Sequence, residues 1–298
     1  LEVGGAEEGR ADEPPAALLL AMLAAPASAR PDTLSLQVMS WNMRLDLASD
    51  GDNAWAHRSA LFASVLRYEQ PDLIGMQEVL DHQKRDVEAA LPDYAVIGVG
   101  RDDGAAAGEY SPIFYRRDRF ELLDSGTFWL SETPDTPSKG WDAAYPRIAT
   151  WGHFRDRDSG RTFWMMNTHF DHIGEVARLN SAQMIRRWMA EHGTPDELTF
   201  VTGDFNATSD SAPMQALTGE TGDTPALIDA RDVSETPPFG PTGTFTGFDI
   251  TKNEAAPIDH ILLGRAARIL RYGVLTFQEG GRLPSDHYPV LVTINWGG

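Results

Sequence analysis

The chain has 298 residues, 42% hydrophobic and 23% charged, enough for one large domain or two small ones, and it carries no cysteine. Disulfides, thiolate metal sites and cysteine nucleophiles are therefore excluded, so catalysis has to rest on carboxylates, histidines, hydroxyls or a cation held by hard oxygen ligands. The formal net charge of −19 repels polyanions and argues against a broad face tracking duplex DNA, although a cation site can neutralise one phosphate locally.

Residues 1–33 form a leader distinct in composition from the rest of the chain. Positions 2–15 are acidic and rich in Gly, Ala and Pro, a composition that does not fold. The run AALLLAMLAA at 16–25 is too short to span a bilayer but has the length of a signal-peptide core, and Ala27, Ser28 and Ala29 resemble a cleavage site. The flank departs from that pattern: it is acidic, its one basic residue is Arg10, and it begins without Met. The expectation is a periplasmic or secreted protein if this run is a signal peptide, and a cytoplasmic one otherwise. No later run is long enough for a membrane span, so no stable membrane insertion is expected. Residues 34–298 are expected to form a single monomeric domain.

From Leu34 the pattern alternates apolar and polar, which predicts a strand over 34–42 ending in Asn42. A polar loop over 46–55 precedes a helix over 57–69, stopped by Pro71. A short buried strand over 72–77 leads to Glu78, and a helix over 81–91 comes next with Asp81 as its N-cap. Strands are predicted over 94–99, 111–115, 121–130, 148–155 and 162–167, with a hairpin turn at 156–160. The intervening loop 131–145 is long enough to be functional or mobile. A strong helix over 175–192, a buried strand over 198–202, a short helix over 210–217 and closing strands over 258–263, 269–277 and 290–296 complete the chain. The Pro, Gly and Thr-rich loop 234–247 is a second candidate lid. Strands and helices alternate in both halves, which predicts an α/β protein of two packed sheets with helices outside.

Five polar clusters stand at strand ends. Asn42 closes the first strand, and Gln77 with Glu78 closes the second; a carboxylate there suits a hard cation. Asn167, His169, Asp171 and His172 stand at the end of the strand over 162–167, and His169 could donate to a phosphoryl oxygen. Asp204 and Asn206, after Gly203, lie two apart and project the same way from an extended chain, as holding a water beside a phosphate requires. The fifth is a pair, Asp259 with His260 and Asp286 with His287; an acid beside a histidine sets its tautomer and supports its charge.

This order of motifs resembles the endonuclease/exonuclease/phosphatase superfamily, the DNase-I-like phosphoesterases, over residues 36–296. The resemblance implies a four-layer α/β sandwich, two mixed β-sheets packed face to face with helices outside, and phosphoester hydrolysis with Mg2+, or alternatively Mn2+ or Ca2+. It implies Glu78 as a metal ligand, with Asn42 beside it and Asp259 a further acid of the metal site. It also implies His169 on the scissile phosphate, Asp204 orienting or deprotonating the water, Asn206 binding phosphate, and Asp286 orienting His287. Arg147 stands where relatives place a basic phosphate contact. The segment around Glu109 and Tyr110 is similar to a bacterial subgroup near the deadenylase-like branch, which would put both residues, with Asp171, against substrate. Either Asp204 or the Asp286–His287 pair could activate the water.

Three substrates stay open. A phosphorylated small molecule, such as a sugar phosphate or nucleotide, suits the acidic charge because it needs only local positive charge. A nuclease acting on DNA or RNA would want Lys and Arg along a groove, and Arg116, Arg117, Arg119, Arg186 and Arg187 are the only basic clusters. A sphingomyelinase-like enzyme would need an exposed aromatic hairpin. A non-catalytic binding module on the same fold stands against all three, and every expected site position being filled disfavours it. Phe245 or Phe248, in the loop Thr242–Phe248, could stack on a base or sugar.

Overall fold

The computed structural model describes residues 1–2, 4–5, 33–194, 197–219, 225–252, 255–264 and 267–297. The signal-peptide-like run expected at 16–25 lies outside them. Among the described residues, no helix is long and apolar enough to cross a membrane.

Among the described residues, twelve strands form two six-stranded mixed sheets. The first holds β1 (Leu34–Asn42), β2 (Leu73–Gln77), β3 (Tyr94–Ile97), β4 (Ile113–Arg116), β11 (Arg268–Val274) and β12 (Val290–Trp296), in the order β11-β12-β1-β2-β4-β3. The second holds β5 (Phe120–Trp129), β6 (Ile148–Asp156), β7 (Thr162–His169), β8 (Leu198–Asp204), β9 (Ile228–Asp229) and β10 (Asp259–Leu263), in the order β5-β6-β7-β8-β10-β9. Helices α1 (Trp55–Glu69) and α2 (Asp81–Ala90) cover the first sheet, and α3 (Glu175–His192) and α4 (Ala212–Thr218) the second. The predicted elements stand within a few residues of these bounds. The two-residue β9 was too short to show a period, and Leu80, not Asp81, caps α2.

The layers arise from the strand patterns. In β1, Leu34, Leu36 and Val38 are buried between the sheets with Phe163, Phe200 and Ile261 of the opposite sheet. The alternate residues Met39 and Trp41 pack outward against Phe62, Val65 and Leu66 of α1. Ala182, Ile185 and Met189 of α3 pack on Met166 and Val201. Period-2 burial on strands and stripe burial on helices therefore give a four-layer α/β sandwich.

The sheets approach closely beneath the site. A Cβ on Gly75 in β2 would collide with the Thr202 hydroxyl of β8 and stand 2.6 Å from Asn167 Oδ1. Asn167 ties the sheets together there. It accepts from Gln77 Nε2 (2.7 Å) and Thr202 Oγ1 (2.9 Å) and donates to the carbonyls of Met76 (2.6 Å) and Pro112 (2.9 Å). Asn167 and Gln77 are wholly buried, so their amides serve as a strut below the site, where every lost bond would leave a buried polar group unpaired.

Candidate active site

Topology delivers the polar strand ends to one edge. β1 and β2 run parallel, as do β7 and β8, so Asn42, Glu78, His169 and Asp204 all emerge at carboxyl ends. β10 is antiparallel to β8 and begins with Asp259 opposite Asp204. β12 is antiparallel to β1, which places the preceding 285–287 segment at the same edge. The result is a cleft of about 810 Å³ with Glu78, His169, Asp204, Asn206, Asp286 and His287 among its lining residues. Of the six non-glycine residues with positive φ among the described residues, four line it: Arg44, Glu78, Asn206 and Phe248. Such backbone is costly and clusters where side chains have to be aimed.

Asn42 links the two halves. Its amide nitrogen donates to Glu78 Oε1 and to Asp204 Oδ2, both at 3.0 Å, while its oxygen accepts from the Arg44 backbone N–H at 2.9 Å. It therefore holds two carboxylates in position, beside Glu78 as the resemblance implied.

His287 lies between two carboxylates. Its Nδ1 is 2.8 Å from Asp259 Oδ2, and its Nε2 is 3.7 Å from Asp204 Oδ2. Burial works against charge on this imidazole, but Asp259, then Asp204 and Asp286, outweigh it and hold the group well above the ordinary histidine range. Asp259, wholly buried, is thus the residue that orients His287, which corrects the assignment of that part to Asp286. Asp286 faces the cleft instead, 3.8 Å from Arg44 Nε, and Arg44 Nη1 is in turn 4.0 Å from Glu78 Oε2. The chain bends at 284–286, so Asp286 turns towards Arg44 while His287 turns towards Asp259, and both line the cleft.

His169 presents its Nε2 to the Asn206 amide nitrogen at 3.1 Å. That nitrogen also donates to the Phe170 carbonyl (3.0 Å), so Nε2 is the acceptor and the ring proton sits on Nδ1, 3.8 Å from Glu109 Oε2. Burial, reinforced by Arg147 and Arg101, keeps His169 well below the ordinary value and hence neutral. Asn206 also donates its backbone N–H to Asp204 Oδ1 at 2.9 Å, so Asp204, Asn206 and His169 form one connected unit.

Arg147 lines the cleft, 4% exposed, and its Nη1 has no partner among the described residues. It is aimed by Asp171, whose Oδ2 accepts from Nε at 3.2 Å, and its Nη2 is 3.1 Å from His172 Nδ1. Asp171 does not touch the cleft. Its carboxylate is filled by Arg147 and by the backbone N–H groups of Tyr145, Ile173 and Gly174, which overturns its expected place against substrate. Tyr110 is also corrected. Glu109 faces the cleft, but Tyr110 points away and donates to Asp81 Oδ1 (3.2 Å) and the Ala105 carbonyl (3.0 Å). Glu109 and Tyr110 project to opposite sides of this extended segment. His260 likewise turns from the cleft, bonded to Asp229 Oδ2 (2.7 Å) and the Ala207 carbonyl (3.2 Å).

Sequence reasoning missed Arg44, Asp50 and Arg101. Arg101 pairs with Glu109 (2.7 Å), and Arg44 pairs with Asp50 (2.9 Å). Arg44 stands two residues past Asn42 and was findable from that proximity; Arg101 had no local signal. The candidate lids 131–145 and 234–247 supply cleft walls through Tyr145 and Phe245. The first is tied down, with Asp142 accepting from the Val176 and Ala177 N–H groups at the start of α3.

Glu78, His169 and Asp204 each offer a donor atom within 4.8 Å of the others. Burial, first, and then neighbouring carboxylates hold two acids of the cleft above the ordinary aspartate range. Asp259 acts on Asp204 in this way, and Glu78 on Asp286. Crowded buried carboxylates with hard oxygen donors fit a divalent cation, which would relieve the repulsion.

The fold and this site define a class, the DNase-I-like phosphoesterases. Residues 39–287 match the endonuclease/exonuclease/phosphatase family, and the chain belongs to it; the family hydrolyses phosphoesters and depends on a divalent cation. A solved structure of a family protein from Bacteroides thetaiotaomicron is 40% identical, with a TM-score of 0.85 over 89% of this chain and 99% of that one. A mannosyl-6-phosphatase of Bacteroides thetaiotaomicron is also 40% identical, with a TM-score of 0.82 over 87% of this chain and 99% of that one. Among curated proteins, an uncharacterized protein of Acanthamoeba polyphaga mimivirus is 29% identical over 51% of this chain, and the chain spans 59% of its length.

Proposed function

We propose that this protein is a magnesium-dependent phosphatase of a small phosphorylated sugar. The observation that carries this reading is the 40% identity, over 87% of this chain and 99% of the relative, to a mannosyl-6-phosphatase. The net charge of −19 supports a compact substrate over a nucleic acid.

A divalent cation at Glu78, with Asp204 and Asp286 near it, would supply charge neutralisation on the phosphoryl group. The protein's own groups account for the rest. Arg147 Nη1 is a buried donor without a partner among the described residues, which suits a phosphoryl oxygen. Asn206 and the imidazolium of His287 add further positive potential where charge develops. Burial and Asp259 make Asp204 a stronger base than a solvated aspartate, and it takes a proton from the attacking water. The water oxygen bonds to phosphorus as the bond from phosphorus to the sugar oxygen breaks. The leaving oxygen takes a proton through solvent, and inorganic phosphate and the free sugar result.

The test is phosphate release in magnesium, with and without chelator, from mannose 6-phosphate, glucose 6-phosphate, AMP, bis(p-nitrophenyl) phosphate and poly(A). Chelator-sensitive release from the sugar phosphates is expected. Cleavage of poly(A) with no turnover of the monoesters would establish a nuclease instead.

A further inference from the structure

We infer that Arg58 is a positioning residue for the cation side of the cleft. Its guanidinium bolts the loop that follows β1 to the segment that precedes β12, and so sets where Arg44 and Asp286 stand against Glu78. This rests on the placement of a divalent cation at Glu78, with Asp204 and Asp286 near it, given above. Arg58 lies in the first turn of α1 and is wholly buried, outside the lining of the cleft. Its Nε donates to the Asn53 carbonyl (2.8 Å), its Nη1 to the carbonyls of Met43 (2.5 Å) and Pro284 (3.0 Å), and its Nη2 to that of Arg44 (2.6 Å). The guanidinium carbon stands 5.0 Å from the centre of the Trp55 ring and 5.7 Å from that of Phe248.

These partners are unusual for a buried cation. Every one is a backbone carbonyl, and among the described residues no carboxylate comes within ion-pair distance of it. Burial lowers its pKa to about 10, with Asp286 and Asp50 opposing, so the group stays charged at neutral pH. A buried charge without an adjacent counter-charge is costly, and a plain tie between a helix and a loop needs only a neutral donor. What arginine supplies is a planar fork with donors in fixed directions, able to hold carbonyls of separate segments at once.

Both segments held by the fork lead to the cleft. Arg44 stands on left-handed backbone (φ 59°), which persists where surrounding contacts fix it. Its carbonyl accepts from Arg58 Nη2 and from Gln83 Nε2 (3.0 Å), and its side chain reaches to 3.8 Å from Asp286 and 4.0 Å from Glu78. Pro284 stands two residues before Asp286. Ser285, between them, donates its hydroxyl to the Asn42 carbonyl (2.6 Å), and the Asn42 amide donates to Glu78 Oε1 (3.0 Å). Arg58 and Ser285 are therefore two ties that hold the Asp286 segment at the end of β1. Glu78 arrives from β2 and Asp286 from the β12 side, so the gap between their carboxylates depends on these ties. Magnesium is sensitive to such a gap, because its oxygen ligands have to meet it at about 2.0–2.1 Å in near-ideal geometry.

The experiment titrates magnesium alone into the protein by calorimetry, and then inorganic phosphate into the magnesium-saturated protein. It compares wild type, Arg58→Lys, Asp286→Asn and the double variant. Lysine keeps the charge and loses the fork. Arg58→Lys should weaken magnesium binding by about 10-fold to 10²-fold. Phosphate binding should stay within about twofold, because Arg147 is held by Asp171 on the other sheet. In the double variant the losses in magnesium binding should fall well short of additive, because Arg58 acts through the placing of Asp286. Unchanged magnesium binding in Arg58→Lys, an equal loss for both ligands, or additive losses in the double variant overturns the inference. If Arg58→Lys does not fold, Ser285→Ala, which removes the second tie, takes its place under the same criteria. A wild type that binds no magnesium overturns the cation placement itself.

Discussion

The imidazole of His287 rests on the carboxylate of Asp259, 28 positions earlier in the chain, at 2.8 Å, and not on Asp286 beside it. Two adjacent acid-histidine pairs in the sequence thus cross over in space. Asp259 serves His287, Asp229 serves His260, and Asp286 is left facing the cleft.

This exchange predicts different outcomes for two similar substitutions. Asp259→Asn should lower kcat by about 10²–10⁴, because it removes the charge that supports the His287 imidazolium and can hold the wrong tautomer. Asp286→Asn should act chiefly on the concentration of magnesium needed for half-maximal rate. Steady-state rates across a magnesium titration separate the two. Equal kcat losses with no change in magnesium dependence would return Asp286 to the orienting part.

Glu78 emerges from β2 on left-handed backbone (φ 60°) and takes one hydrogen bond from Asn42 and one from the Leu45 N–H. Glu78→Gln removes a charged donor while keeping shape, so activity in magnesium should fall by about 10²-fold or more with helix and strand content intact. Calorimetric titration with magnesium alone should show weakened binding. Full activity and unchanged binding would move the cation elsewhere.

Asp171 aims Arg147 without touching the cleft. Asp171→Asn should therefore raise KM for substrate and Ki for inorganic phosphate together, while Arg147→Met should do the same more strongly, by about 10-fold to 10²-fold for one charge-assisted contact. The double variant should be no worse than Arg147→Met, because the two share one path. Additive losses would show that Asp171 acts independently.

Away from the site, Glu197 accepts from His153 Nε2 (2.7 Å), Trp164 Nε1 (3.1 Å) and Thr194 Oγ1 (3.1 Å). Burial raises this carboxyl, but hydrogen bonds from Thr162, His153 and Trp164 outweigh burial and set it below the ordinary glutamate value. A depressed folded value means that its contribution to stability is complete above the unfolded value, about 4.3, and is lost as pH falls through the folded one. Glu197→Gln should therefore be less stable than wild type at pH 7, by about 1 kcal/mol once solvent screening is allowed for, with the gap closing below about pH 4. Urea midpoints at pH 7, 5 and 3.5 measure it, and a gap independent of pH would contradict the charge argument.

Sequence alone determined the elements and the chemistry on offer. Alternation in 34–42 and 290–296 and the stripe in 175–192 specify strands and a helix locally, because burial period is set by backbone geometry. The absence of cysteine limited the site to oxygen and imidazole groups. The strand-end residues Asn42, Glu78, His169, Asp204, Asn206, Asp286 and His287 were legible as a set, since polar groups at the mouths of apolar strands have few structural uses. Partnership was not legible. That Asp259 orients His287, that Asn42 bridges Glu78 to Asp204, that Asp171 and Tyr110 turn from the cleft, and that Arg44 and Arg101 enter it all depend on which strands pair, and in which register. Pairing is a non-local choice made by two whole sheets packing over Gly75 and the Asn167 strut, and a one-residue slip would have turned each of these side chains to the other face.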